Sequence, residues 1–127
     1  TVRRIYVQCA LLRWTKERSA LNESQFMHVV AFTLKPGVSR EDPRAQAAAT
    51  ITSGHPAAIP EIATWYCGWD ITHRPDSADF LLVSTFDTAA DCETFQSHPE
   101  HQRGKEAWRQ IATWMVADIL PCGGEHS

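Results

Sequence analysis

The chain has 127 residues, 43% of them hydrophobic and 21% charged, with a formal net charge of -3. These values describe one ordinary globular domain, long enough to bury a core of its own. Lys and Arg are scattered rather than bunched, which argues against nucleic acid and against an anionic membrane surface as partners, and no apolar run approaches the ~20 residues that a membrane-crossing helix needs.

Residues 1–26 differ in texture from the rest. Arg3, Arg4, Arg13, Lys16 and Arg18 alternate with Val2, Ile5, Tyr6, Cys9 and Leu12 at helical spacing, so this N-terminal extension reads either as an amphipathic helix that needs a cover or as a poorly ordered arm. A secretory signal is not expected, because Gln8 interrupts the apolar centre, Arg13 closes it and no small-x-small cleavage site follows. Cys9, Cys67, Cys92 and Cys122 form no C-x-x-C pair; reduced thiols and a cytoplasmic location fit best.

From Met27 the pattern becomes regular. MHVVAFTL (27–34) predicts a strand covered on two sides, stopped by Lys35-Pro36-Gly37. Ser39 or Asp42, with Pro43 as an early helical residue, opens an Ala-rich helix from about 40 to 55, which Pro56 and Pro60 close. IATWYCGWDI (62–71) and DFLLVSTFD (79–87) predict two strands of a hairpin across the His73-Arg74-Pro75-Asp76-Ser77 turn cluster. Thr88 or Asp91 starts a short helix through Phe95, Pro99 starts another to about Ile111, and WMVADIL (114–120) supplies the last strand. Residues 121–127 carry no periodicity and read as a flexible tail.

The order βαββαβ predicts an α+β, ferredoxin-like domain over 27–120, a four-stranded antiparallel sheet with its helices on one face. The other face lacks a cover, yet the strands are apolar on both sides: His28, Val30, Phe32 and Leu34 alternate with Met27, Val29, Ala31 and Thr33, and Phe80, Leu82 and Phe86 with Leu81, Val83 and Thr85. A second copy of the chain is the expected cover, giving a homodimer. The N-terminal extension folded across the open face is the alternative.

Certain residues resemble a known family: His28-Val29-Val30 opening the first strand, Phe32 followed by Lys35-Pro36-Gly37-Val38, Ile59-Pro60 before the second strand, Phe86 closing the third, His98-Pro99-x-His101, and Asp118 in the last. Together, over Met27 to Leu120, they are similar to the stress-responsive A/B barrel (dimeric α/β barrel, Dabb) domain. The resemblance implies a dimer whose two sheets close into one barrel.

His98 precedes a proline and is expected to cap the helix that Pro99 begins, leaving His101 at N3. The two rings then share no helical face, so a zinc pair is not expected, and neither is any other metal or cofactor: there is no phosphate-binding Gly-rich loop and no G-x-S-x-G elbow. Near the positive end of a helix dipole, His101 should stay neutral and able to accept a proton. His28 is expected to face the same cleft, with Phe32, Phe80, Leu82, Phe95, Trp108 and Trp114 lining it for a small apolar or aromatic ligand, or forming plain core. His101 and His28 are thus the candidate catalytic pair. The resemblance implies more here, because polyketide cyclases of the family close a linear polyketone by intramolecular aldol chemistry with a histidine matching His101 as acid/base and another matching His28. The tyrosine that anchors their substrate falls at Phe95, and a further pocket histidine falls at Phe80. Trp65 and Trp69 share a strand face and are expected to pack in the dimer barrel, while Cys67 reads as a small buried residue. Two functions remain: an A/B barrel homodimer with an apolar cavity and no required catalysis, and a cofactor-free cyclase-like lyase.

Overall fold

The computed structural model describes residues 26–121, so nearly all of the N-terminal extension and of the C-terminal tail lies outside the described residues. Four strands, β1 (Phe26–Leu34), β2 (Ile62–Trp69), β3 (Phe80–Phe86) and β4 (Ala112–Ile119), form one antiparallel sheet in the order β2-β3-β1-β4. This is the α+β, ferredoxin-like arrangement that the element order predicts. Helices α1 (Pro43–Ser53), α2 (His55–Ala58), α3 (Ala89–Ser97) and α4 (Pro99–Arg109) complete it.

Each longer helix starts where a side chain satisfies a free backbone N–H. Asp42 accepts from Arg44 N at 2.9 Å, Thr88 from Asp91 N at 3.0 Å and His98, through Nδ1, from Glu100 N at 3.0 Å. Pro43 and Pro99 fill first-turn positions whose N–H would have no partner. The expected helix over 40–55 needs correction. It stops at Ser53, and Pro56 does not close it but sits in the first turn of α2, where its missing N–H costs nothing.

Register decides which side chains meet the helices. Directly opposite pairs such as Phe32↔Phe80 and Phe32↔Trp114 put Phe32, Phe80, Leu82, Trp65, Trp69 and Trp114 on the helical side. Trp65 and Trp69 therefore pack in the core of one chain, not in a barrel between two, and Trp65 Nε1 donates to the Thr52 carbonyl at 3.1 Å. Ala45, Ala48 and Ala49 let α1 lie close to this layer, and Phe32 stacks on Trp108 of α4 with centroids 4.1 Å apart. A second cluster gathers Ile59, Phe86, Cys92 and Phe95. On the other side of the sheet, Tyr66, Leu81, Met115 and Ile119 stand 70%, 43%, 75% and 45% exposed.

Candidate functional site

Four polar residues are buried among the described ones: His28, Thr52, His55 and Ser84. Three of them border a cleft of about 130 Å³ between the sheet and α1, α2 and α4. Its walls are Val30, Phe32, Leu82, Trp108 and Trp114, and its polar groups are His28, Thr52, His55, Gln96, His101, Lys105 and Asp118.

The position of each polar group follows from its element. His28 on β1 stands directly across from Asp118 on the edge strand β4, and His28 Nδ1 lies 2.7 Å from Asp118 Oδ1. A carboxylate oxygen only accepts, so Nδ1 carries the hydrogen and Nε2 of the neutral ring becomes an acceptor. Asp118 is the exposed member, its side chain 54% accessible against 4% for His28.

His101 is at N3 of α4, where the Pro99 start places it. Its ring lies against Phe95, centroids 4.2 Å apart, and 5.8 Å from the ring of His55. Burial, then the neighbouring charges of His55, Lys105, His28 and His98, push its pKa down to about 3. The ring is neutral, as the sequence suggests, but the leading cause is burial rather than the helix dipole. So low a pKa makes His101 a weak proton acceptor near neutral pH, where the best general bases titrate close to the working pH.

His55 was invisible to sequence reasoning. Burial lowers its pKa as well, against a smaller upward pull from the Ile51 carbonyl. Yet no acceptor meets its Nδ1 in hydrogen-bonding geometry, making it the one enclosed side-chain polar atom without a partner among the described residues. Its ring occupies space that Gly104 leaves open: a Cβ on Gly104 would stand 3.0 Å from Cε1 and 3.1 Å from Nε2. Behind it, Thr52 Oγ1 donates to the Ala48 carbonyl at 2.9 Å and accepts from Trp108 Nε1 at 2.7 Å.

The structure thus brings His28 and His101 to one cleft with Phe32, Leu82, Trp108 and Trp114. Two expected lining residues are elsewhere. Phe80 is closed in the core beneath Trp69 and Trp108, and Phe95 is fully buried as a floor under the His28, His55 and His101 rings. Among the described residues, no three His, Cys, Asp or Glu side chains are placed to hold a metal ion, and no helix is long and apolar enough to cross a membrane.

The model of the Stress responsive A/B Barrel Domain matches residues 26–120. The chain belongs to this family. An uncharacterized protein of Streptomyces coelicolor is 37% identical over 91 residues, which are 72% of this chain and 94% of that protein. Among solved structures, a dimeric ferredoxin-like protein from Thermobifida fusca, of unknown function, is similar with a TM-score of 0.67 and 21% identity over 76% of this chain and 91% of its own. The hydroxynitrile lyase of Passiflora edulis is similar with a TM-score of 0.66 and 20% identity, over 80% of this chain and 96% of its own. At these identities the A/B barrel fold is what the solved structures share with this chain.

Proposed function

We propose that this A/B barrel protein is a cytoplasmic homodimer, joined through the open sheet face, that binds a small apolar or aromatic molecule in the cleft between sheet and helices. The observation that carries the binding role is the cleft itself, the aromatic and aliphatic walls Val30, Phe32, Leu82, Trp108 and Trp114 around converging imidazoles. Pairing is supported by Tyr66, Leu81, Met115 and Ile119, which leave one sheet face apolar and uncovered by any described residue, and by the dimeric state that names the Thermobifida fusca neighbour. Sedimentation velocity tests the pairing: the wild type should run as a dimer, and Met115→Asp, which sets a charge in that face, as a folded monomer. A wild type that stays monomeric at micromolar concentration refutes it.

A second reading, a cofactor-free polyketide cyclase-like lyase, is favoured by the His28–Asp118 pair. The carboxylate orients the imidazole and stabilises its protonated form, which makes His28 the base in place of His101. In this reading His28 Nε2 takes the α-proton of a polyketone, the enolate carbon bonds to a second carbonyl carbon of the same chain, and that oxygen recovers the proton before water leaves. Phe95 supplies no hydroxyl to anchor the substrate. The assay is conversion of a linear poly-β-ketone by wild type and by His28→Gln; cyclisation at equal rates with both, or with neither, eliminates the lyase.

A further inference from the structure

Most buried imidazoles can present either a donor or an acceptor, because the neutral ring has two tautomers. His28 is constrained. Its Nδ1 is committed to Asp118 Oδ1 at 2.7 Å, and no described residue takes the remaining nitrogen. The open space that His28 borders is the cleft. The cleft therefore offers a fixed acceptor at the end of an aromatic slot formed by Phe32, Trp108 and Trp114. A ligand that brings a second acceptor to this point, such as a ketone or ether oxygen, leaves two lone pairs facing each other away from water. A hydroxyl on an aromatic ring meets it with a hydrogen.

We infer that the cleft selects aromatic hydroxyl compounds, phenols in the broad sense, and that Asp118 is the positioning residue that sets this preference by holding His28 in its accepting tautomer. The ring of the ligand lies against Trp108 and Trp114, and its O–H donates to His28 Nε2. Asp118 acts from outside the cleft core, with a side chain 54% accessible, so it can be altered without opening a hole in the packing. An amide in its place can donate to Nδ1 instead of accepting from it, which frees His28 to carry its hydrogen on Nε2. The same exchange disables a catalytic histidine in serine proteases by leaving it in the wrong tautomer.

This inference rests on the reading of the cleft as a small-molecule site, and the experiment separates the two. p-Cresol and 4-fluorotoluene match closely in size and shape and differ in whether the substituent can donate a hydrogen bond. Their affinities are measured by NMR titration of the wild type and of Asp118→Asn, with the imidazole nitrogen shifts reporting the tautomer of His28 in each. In the wild type, p-cresol should bind about tenfold more tightly or better, the scale of one buried hydrogen bond made against one left unmade. In Asp118→Asn that ratio should fall severalfold, together with a shift of the His28 tautomer. A ratio near one in the wild type, or a ratio that Asp118→Asn leaves unchanged, overturns the inference while leaving the cleft a binding site. Binding of neither compound at millimolar concentration overturns both.

Discussion

Acid should destabilise this protein well above the range in which carboxylates protonate, and His101 should account for a measurable share. In the unfolded chain its imidazole titrates near the ordinary 6.5, whereas in the folded protein burial and the charges of His55, Lys105, His28 and His98 hold it at about 3. Its folded pKa is depressed, so the unfolded state binds the proton first. The contribution is complete above the unfolded value and is lost progressively as pH falls from about 6.5 toward about 3. Between pH 7 and pH 5 one such group removes at most about 2 kcal/mol, and the result hardly depends on whether the folded value is 3 or 4. The ring borders the open cleft and solvent screens it in part, so about 1 kcal/mol is the working figure, or roughly 3–5 °C of Tm for a chain of this size. Thermal melts at fixed protein concentration in this interval, on wild type and His101→Gln, measure it directly. The variant should lose clearly less stability between the two pH values. His55, whose pKa burial also lowers, contributes to the part that persists. Parallel curves for the two proteins would refute a His101 kept neutral by burial.

Two further predictions concern the same core. Thr52→Val keeps the shape of the side chain but leaves Trp108 Nε1, which now donates to Thr52 Oγ1 at 2.7 Å, without its acceptor; a loss of about 1–3 kcal/mol is expected in urea denaturation, and a loss near zero would mean that the bond contributes nothing net. Burial pushes the Cys92 thiol up to about 11, so at pH 8 a thiol reagent should label it only as fast as the protein opens. Labelling of Cys92 in native protein, followed by peptide mass spectrometry, at the rate seen in denaturant would contradict its enclosure.

Local chemistry made much of the fold legible. Proline and capping residues mark where α1, α3 and α4 begin, because the Asp42, Thr88 and His98 side chains satisfy free N–H groups, and Pro43 and Pro99 remove one, without help from distant residues. Alternation along β1 and β3 separates the two sheet faces for the same reason. The site was legible only in part. His98-Pro99 stood out as a helix start, while Gly54-His55-Pro56, the same His-Pro pair, read as a helix end. Only the tertiary packing of α4, with Gly104 opposite, shows that His55 is received into the cleft. The His28–Asp118 pair depends on register: one residue of slip between β1 and β4 would send Asp118 to the opposite face of the sheet. No local signal fixes that register. The hydrophobic pattern read strand by strand cannot say whether Phe80 lines a cleft or lies beneath one.

The buried polar residues also explain why the core is divided. Phe32, Trp108, Leu82 and their neighbours form one apolar cluster, and Ile59, Phe86, Cys92 and Phe95 form another. His28 and His55 touch the second cluster through Phe95, and Thr52 is tied to the first through Trp108. A core chosen for stability alone would fill such a seam with aliphatic side chains, since burying an imidazole withdraws it from water and the His55 Nδ1 gains no partner in return. Departures of this kind from consistent packing collect where a site must be kept. The seam opens onto the cleft at His28, His55 and His101, and its outermost contact is the Asp118 carboxylate. The cost in stability and the capacity to recognise a polar group on an apolar ligand thus fall on the same residues, and a variant that fills the seam should become more stable as it loses the site.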